Sequence, residues 1–501
     1  MSDIKLHWHN HKYFPYEKEL GIRELKTLLS VTDIICNDKS VTIKSSAITE
    51  KKLDRLVYFS DYIKDGCTVE TLQRRLEKSC SITGNHKKQS TRYSVHGIHE
   101  YKGKFNPQIV RGILNILNIK EGSKLLDPFC GSGTTLVEST HSNMEGYGTD
   151  MNPLAIYISN SKLLALNTKA SILLEHFQNI FATFDTTVIS NHEDEYTEYL
   201  RDWFPEDNYN IIERLRVSIL KEGGEYKSIF FVLASDILRD YSLQEPADLR
   251  IRRRKSPFPD ISFMEAFKIK FDNFLANLLA SQNIVGLMNQ KGLATLWDSR
   301  ESMLKVDTLD GSKFDVAITS PPYATALPYI DTQRLSLIWL RFLDKKEVKN
   351  LEASLTGSRE LLTKARKELQ HNFLNNTSNL TKSVYKYCLE LNESLSEDDG
   401  FRRQAVPYLM YRYFSDMQAM FISVKNSLKL NAPFALVVGH NHTTLGGKRF
   451  DVDTPELLKE VALSVGWKHQ ESFPLQAYHR YDLHSKNAVK HETLLILRKN
   501  D

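Results

Sequence analysis

Cysteine is scarce in this chain of 501 residues, and the cysteines that occur are scattered. They are odd in number and form no C-x-x-C pair: Cys36, Cys67, Cys80, Cys130 and Cys388. A disulfide framework or a zinc knuckle is therefore not expected. The pattern fits a reducing compartment, and we expect a cytoplasmic protein.

Long apolar runs and a strong charge of one sign are also missing. No run of about 18 apolar residues occurs, so no membrane span is expected, and the polar N-terminus lacks the apolar core of a signal peptide. The formal net charge is only +4, a weak indication of an anionic partner. The densest basic run, Arg250–Lys255, is more informative, because beside a nucleic-acid site it would contact phosphates.

Two phosphate-binding motifs are absent. A G-x-G-x-x-G fingerprint fails because Leu136 stands where the third glycine belongs, and no G-K-[ST] occurs at P-loop spacing. The sequence therefore does not indicate binding of a dinucleotide or of a nucleoside triphosphate.

A different glycine loop is present at Asp127–Thr134, with the sequence DPFCGSGT. Gly131 and Gly133 allow a sharp turn and a close approach of a ligand to the backbone. Asp150 follows 23 residues after Asp127, at the tip of the next predicted strand, where a carboxylate can accept hydrogen bonds from ribose hydroxyls. Alone, the loop could be a tight strand-to-helix turn; with Asp150 it predicts a nucleoside-bearing cofactor.

A second loop, Thr319-Ser320-Pro321-Pro322-Tyr323, follows the apolar strand predicted at 315–319. Successive prolines stiffen it, so that the Ser320 hydroxyl and the Pro321 carbonyl can point as acceptors into one pocket. Two acceptors on the N–H bonds of an exocyclic amine favour a pyramidal nitrogen with a usable lone pair. Tyr323 offers a ring for base stacking, and a base reached in this way must leave the duplex.

The order strand, glycine loop, helix, strand predicts an open α/β sheet. We expect a Rossmann-like sheet with helices on both faces, helical insertions and an N-terminal extension. The predicted boundaries are 1–95, extension and linker; 96–165, cofactor half of the core; 166–292, mainly helical insertion; 293–344, core with the catalytic motif; 345–405, helical insertion; and 406–501, C-terminal part of the core. Two H-N-H tripeptides, at 9–11 and 440–442, lack the spacing of a nuclease motif and are attributed to chance or packing.

The order DPFCGSGT, then GTDMNP at 148–153, then TSPPY resembles amino-methyltransferases that use S-adenosylmethionine. Ser before Pro-Pro-Tyr is similar to DNA methyltransferases of the cytosine-N4 type. The segment HEYKGKFNPQ at 99–108 looks like the family segment that packs on the methionine part of the cofactor. The resemblance covers roughly residues 96–165, 293–343 and 410–497.

The resemblance implies a role for each matching residue. The catalytic set is Ser320, Pro321, Pro322 and Tyr323, which would grip the amine and stack on the base. The cofactor set is Tyr101, Lys104, Phe105, Asp127, Phe129, Gly131, Gly133, Thr134, Asp150 and Asp298, with Asp150 at the ribose and Asp298 near the adenine. Methyl transfer would be a direct in-line displacement without a covalent enzyme adduct or a metal, and catalysis would be mostly positioning.

The implied partner is double-stranded DNA with a flipped target base, together with a possible cognate restriction endonuclease. We expect target recognition in the 166–292 block, because it holds Arg250–Lys255. Two other substrates stay open. Adenine N6 in DNA presents the same geometry, and an RNA base is the less favoured alternative, since residues 1–95 match no obvious RNA-binding module. A third alternative, from another class, is a non-catalytic or nuclease partner in a restriction system. It is not favoured, because no metal-dependent nuclease cluster stands out and both catalytic segments look intact.

Overall fold

The computed structural model describes residues 2–45, 48–79, 89–189, 193–289, 291–302, 312–325, 329–476 and 491–500. Residues 80–88, part of the predicted extension and linker at 1–95, lie outside these ranges. No helix among the described residues is long and apolar enough to cross a membrane.

The N-terminal region forms an antiparallel sheet of its own, which the sequence did not predict. Its elements are β1 (Ser2–Trp8), α1 (Pro15–Leu28), β2 (Ile34–Cys36), β3 (Ser40–Ser45), α2 (Glu50–Asp54), β4 (Phe59–Lys64), β5 (Cys67–Glu70) and α3 (Leu72–Ser79). The strand order is β2-β3-β1-β4-β5. Alternation in β1 places Ile4 and Leu6 in the core.

The central region alternates helices and strands, as predicted. It contains α4 (Pro107–Ile116), β6 (Lys124–Asp127), α5 (Thr134–His141), β7 (Glu145–Asp150), α6 (Pro153–Leu166), β8 (Gly292–Leu296), β9 (Val316–Thr319) and α12 (Tyr329–Trp339). Pro107 and Pro153 occupy first-turn positions of their helices, and the preceding Asn106 and Asn152 side chains accept hydrogen bonds from the first free amides.

Two blocks interrupt the central region and are helical, as expected. The first holds α7 (Ala170–Phe184), α8 (Glu195–Trp203), α9 (Glu206–Glu222), α10 (Lys227–Ile237) and α11 (Phe263–Val285). The second holds α13 (Lys345–Ser354), α14 (Thr363–Leu374), α15 (Lys382–Glu393) and α16 (Phe401–Gln404).

The C-terminal region adds α17 (Val406–Ser427), β10 (Pro433–Gly439), β11 (Asn441–Leu445), β12 (Lys448–Val452), α18 (Thr454–Ser464), β13 (Trp467–Gln476) and β14 (His491–Lys499). The hairpin of β11 and β12, which directly follows β10, was not predicted. It begins with Asn441 and His442 of the second H-N-H tripeptide.

The seven-stranded central sheet has the order β13-β14-β10-β9-β6-β7-β8. Strands β6 to β10 run parallel, and β14 and β13 are antiparallel at one edge. The strand order reverses between β6 and β9, which pair directly through Leu125 with Val316 and Leu126 with Ala317. The predicted Rossmann-like α/β sheet is confirmed, and this reversal is where such sheets bind their ligands.

Both faces of the central sheet are covered. On one face, Leu125, Val316 and Ile318 share a hydrophobic cluster with α4 and with Leu6 of the N-terminal sheet. On the other, Leu126 and Ala317 pack with α17 and α18. The N-terminal region is therefore joined to the central sheet by a common core.

A buried carboxyl in this core predicts a pH-dependent stability. Burial raises the pKa of Glu24 from 4.5 to about 8, although Asn115 Nδ2 donates to it at 2.7 Å and Val57 N at 3.2 Å. The folded state holds this proton more tightly than the unfolded chain, so the stability it contributes is present below about pH 4.5 and is lost as pH rises through about 8.

We therefore expect the unfolding free energy to fall by on the order of a few kcal/mol between pH 6 and pH 9, and Glu24→Gln to remove most of that fall. Urea unfolding midpoints at the two pH values measure it. The exposed Glu19 of the same helix, which pairs with Arg23 at 3.2 Å, provides the control variant Glu19→Gln. Equal pH dependence in Glu24→Gln and the unmodified protein would contradict this assignment.

Candidate active site

The glycine loop and the Pro-Pro-Tyr loop leave the carboxyl ends of the two strands at the reversal. Asp127 ends β6 and Thr319 ends β9, and the Thr319 hydroxyl donates to Asp127 Oδ1 at 2.7 Å. The same oxygen accepts from Phe129 N at 3.1 Å. One buried carboxyl thus connects both loops, and burial raises its pKa to about 6.

The glycine loop has the backbone geometry that its sequence predicts. Gly131 and Gly133 have φ angles of +49° and +75°, values that side chains with a Cβ rarely adopt. At position 133 a Cβ would also lie 2.7 Å from Ser159 Oγ. Replacing either glycine would therefore strain the turn that leads into α5.

Asp150 links the glycine loop to the end of β7. Its Oδ2 accepts from Gly131 N at 3.0 Å, and its Oδ1 accepts from Asn152 N at 2.9 Å. Burial raises the pKa of this carboxyl to about 6. Each oxygen has a further lone pair available to a ligand hydroxyl.

The Pro-Pro-Tyr loop is held by the C-terminal strands. Ser320 Oγ donates to Val437 O of β10 at 3.2 Å, and the Tyr323 hydroxyl donates to Glu492 Oε1 of β14 at 2.6 Å. A Cβ at Gly439 would lie 2.7 Å from the Tyr323 ring. Glycine at the end of β10 thus leaves the space that the tyrosine ring needs.

A cavity of about 1180 Å³ opens between the two loops. Most predicted site residues line it: Tyr101, Phe129, Gly131, Asp150, Ser320, Pro321, Pro322 and Tyr323. A smaller cavity of about 30 Å³ shares several of these residues and adds Lys104, Phe105, Asp127 and Thr134. The structure thus brings Gly131 and Ser320 into one shared cavity.

Two predicted residues line neither cavity. Gly133 lies behind the loop, against Ser159. Asp298 points its carboxylate at Arg300, which donates to it through Nε at 2.9 Å and Nη2 at 2.6 Å, and which also pairs with Asp416 at 3.2 Å. The neighbours Trp297 and Ser299 line the large cavity instead. An adenine contact by Asp298 stays a prediction, but its carboxylate already has a partner.

Lys104 has a supporting position. Its ammonium donates to the backbone oxygens of Thr91 at 2.9 Å and His96 at 3.0 Å. Lys104 therefore holds the segment before Tyr101 in place. Cys130 is buried, and burial raises the pKa of its thiol well above the ordinary value, so the thiol stays protonated and packs inside the loop.

Several cavity residues were not predicted. Asn152 and Gln333, joined by an Asn152 Nδ2 to Gln333 Oε1 hydrogen bond of 2.5 Å, line the cavity beside Tyr101. His442 lines it from the second H-N-H tripeptide, and Asn441 donates to Ala324 O in the loop after Tyr323. The Gly148–Pro153 motif was a signal for Asn152, whereas no local signal pointed to Gln333.

The residues around the smaller cavity fit a polar ligand group. Among the described residues, the buried hydroxyls of Ser132 and Thr134 have no hydrogen-bond partner, and both line that cavity. Thr134 begins α5, where free backbone amides favour an anion. A carboxylate such as that of a methionine moiety matches this donor set.

Comparisons with known proteins find methyltransferases. Residues 98–170 match the family model for the UPF0020 (RMKL-like) methyltransferase domain. The chain is 23% identical over 482 residues to the type II methyltransferase M.BsoBI of Geobacillus stearothermophilus, covering 89% of this chain and 91% of that protein. The chain is thus similar to a type II methyltransferase along most of its length.

The type II methyltransferase M.MvaI of Kocuria varians is 24% identical over 322 residues, covering 60% of this chain and 69% of that protein. The solved structure of TrmN from Thermus thermophilus is similar over the full length of both chains, with 9% identity and a TM-score of 0.34. Methyltransferase homologues imply S-adenosylmethionine as the methyl donor.

Proposed function

We propose that this protein is a site-specific DNA methyltransferase that transfers a methyl group from S-adenosylmethionine to N4 of cytosine, within a restriction-modification or related defence system. The observation that carries the proposal is the shared cavity of Gly131 and Ser320, together with the Thr319–Asp127 hydrogen bond between their loops. Type II relatives along most of the chain support DNA as the substrate.

The cofactor side of the cavity is assigned to the glycine loop and its neighbours. Gly131 presents bare backbone, Asp150 accepts from the ribose hydroxyls, and Ser132 and Thr134 donate to the methionine carboxylate. Tyr101 and Phe129 supply apolar surface at the boundary of the two cavities. S-adenosylmethionine supplies an electrophilic methyl group on a sulfonium; the protein's residues position and desolvate the reacting groups.

Ser320 is suited to accept a hydrogen bond from the target amine. Its single hydroxyl proton is donated to Val437 O, which leaves the oxygen lone pairs free to accept. Pro321 offers its carbonyl oxygen as the second acceptor. Both acceptors increase electron density on the amine nitrogen. After the nitrogen has received the methyl group, it would release one of its protons to solvent water.

Tyr323 would stack on the flipped base, and its orientation is set from two sides. Glu492 accepts from the hydroxyl, while Gly439 lies against the ring. Because the ring is held before the base arrives, little rotamer entropy is lost on stacking. Glu492 therefore acts as a positioning residue for Tyr323.

The second helical block supplies most of the basic wall of the cavity. Eight basic and four acidic residues line it, and five of the basic ones come from 345–405: Lys349, Arg359, Arg366, Arg402 and Arg403. Phe401, which is 73% exposed and stacks with Arg366 at 4.3 Å, adds an aromatic face beside the cavity. This composition favours phosphate and base contacts.

The basic run in the 166–292 block is used differently. Only its first member, Arg250, lines the cavity. Arg253 donates to Asp202 O at 2.7 Å and covers the Trp203 ring, and Arg254 donates to Ser242 O and Asp240 O. We therefore propose that the 345–405 block makes the main DNA contacts, and that the 166–292 block contributes through Arg250.

Paired substitutions separate the two blocks. Arg402→Gln with Arg403→Gln is expected to weaken DNA binding and to reduce the slope of log affinity against log salt by about 0.9 for each lost phosphate contact. Arg252→Gln with Lys255→Gln removes the same charge from exposed positions outside the cavity lining, and should change the slope little. Fluorescence anisotropy between low and moderate salt measures both slopes. A larger change of slope for Arg252→Gln with Lys255→Gln would instead assign the main DNA contacts to the 166–292 block.

The target atom is tested by product analysis. DNA methylated by the purified protein is digested to nucleosides, and N4-methylcytosine is expected. N6-methyladenine alone would replace the base but keep the enzyme class. Methyl incorporation into RNA and not into duplex DNA would reject the DNA substrate.

A further inference from the structure

The first H-N-H tripeptide contributes two histidines to a buried polar cluster, which the proposed methyl-transfer site does not use. His9 and His11 follow β1, and Glu77 belongs to α3. Their side chains are 5%, 8% and 7% exposed. One possible ligand atom from each lies within 4.8 Å of the other two, and none of the three lines the catalytic cavity.

The hydrogen bonds of His9 leave one of its ring nitrogens without a partner. Its Nε2 lies 3.0 Å from Val57 O, and since a carbonyl only accepts, Nε2 carries the proton and Nδ1 keeps its lone pair. Among the described residues, His9 Nδ1 and His11 Nε2 are buried without a hydrogen-bond partner. Such buried, unpaired polar atoms are costly unless a ligand satisfies them.

Two hydrogen bonds fix the orientation of the Glu77 carboxylate. Its Oε1 accepts from Gln73 Nε2 at 2.6 Å and from Gln108 Nε2 at 3.0 Å. Both donors hold the carboxylate in position, and both bind the same oxygen, so neither occupies Oε2. The backbone carbonyl behind His9 supports that ring in the same way, and partners of this kind typically orient metal ligands.

We propose that His9, His11 and Glu77 bind a zinc ion, with water as the fourth ligand. Imidazole and carboxylate are ordinary zinc ligands at about 2.0–2.2 Å. Ligand atoms on one tetrahedral ion then lie about 3.4 Å apart, so side-chain adjustments of about an ångström close the site.

The ion would have a structural role. It joins the end of β1 to α3 across the N-terminal sheet, and through Gln108 it reaches α4, which packs on the central sheet. The nearby Arg74 is a cation that the site has to tolerate.

A second buried group, His96, Glu138 and His141, has similar composition but already contains its cation. Arg111 Nη2 lies 2.6 Å from Glu138 Oε2, and Arg111 Nε donates to the same oxygen at 2.8 Å. His96 Nε2 lies 2.6 Å from Glu138 Oε1. Both carboxylate oxygens of Glu138 therefore already have partners. The group connects the 93–96 segment to α5 through hydrogen bonds.

The proposal is tested on full-length protein without an affinity tag. After chelator treatment and dialysis, zinc is added, and bound metal is counted by mass spectrometry, with cobalt absorption as a second probe. We expect one equivalent of zinc, a tetrahedral cobalt spectrum and a higher melting temperature with metal. His11→Gln and Glu77→Gln should weaken zinc binding by at least about 100-fold, since the loss of outer-shell partners alone costs about 10–100-fold.

Glu77→Gln is expected to fold like the unmodified protein, because its amide oxygen can still accept hydrogen bonds from Gln73 and Gln108. His371→Gln, at an exposed position on α14, is the matched control and should bind zinc like the unmodified protein. Less than a tenth of an equivalent in the unmodified protein at saturating zinc would overturn the proposal. Equal zinc affinity in Glu77→Gln would also overturn it, since the ion would then be bound elsewhere.

Discussion

Tyr323→Ala is expected to lower methyl-transfer turnover by about 10- to 100-fold while the cofactor Kd changes by less than about twofold. Stacking of a base on an aromatic ring contributes about 1–3 kcal/mol, and this ring is aligned before binding by Glu492 and Gly439. Single-turnover rates with saturating DNA and cofactor give the first quantity, and calorimetric titration of the cofactor gives the second.

Tyr323→Phe is the matched control. It keeps the ring and removes only the hydroxyl that donates to Glu492, so most of the turnover should remain. A Tyr323→Ala variant that loses cofactor affinity and keeps its turnover would assign the ring to the cofactor side of the cavity.

Asp150→Ala should act on the cofactor first, with a Kd raised by about 10- to 100-fold. Hydrogen bonds to a charged group contribute about 1.5–3 kcal/mol, and this carboxylate also accepts from Gly131 N and Asn152 N. Its loss therefore removes the proposed ribose contact and loosens the glycine loop. Unchanged cofactor affinity in Asp150→Ala would contradict the assignment of Asp150 to the ribose.

The pH dependence gives an independent measurement of the same group. Because the pKa of Asp150 is about 6, a ribose hydroxyl meets a carboxylate above pH 6 and increasingly a protonated acid below it. Cofactor affinity should therefore fall as pH drops from 7 to 5. Asp150→Asn, which keeps one acceptor oxygen and cannot ionise, should bind more weakly at pH 7 and show a flatter pH profile.

The helices and strands of the central sheet could be predicted because their signals are local. The helix predicted after the glycine loop is α5 (Thr134–His141), and Pro107 and Gly133 mark helix starts by their own backbone restrictions. The five short strands of the N-terminal region escaped prediction, and the central one, β1, pairs only with the distant strands β3 and β4. Short strands carry little periodicity of their own.

The candidate site was predictable to the extent that its chemistry lies in contiguous loops. Asp298 shows the limit: its position in the sequence suggested an adenine contact, whereas Arg300, two residues away, takes its carboxylate. Likewise, the run Arg250–Lys255 looked like a phosphate-binding patch, yet Arg254 donates to backbone carbonyls. A sequence shows that a charge exists and leaves its partner undefined.

The two loops, their turn geometry and their donor and acceptor atoms follow from the order of amino acids alone, because glycine and proline restrict the backbone within a few residues. Which strand tips become neighbours was decided only by the folded chain, since β6 and β9 are separated by nearly 190 residues and meet through the reversal of the sheet. The same holds for the basic wall from 345–405 and for the approach of Glu77 to His9, contacts that depend on packing between distant segments.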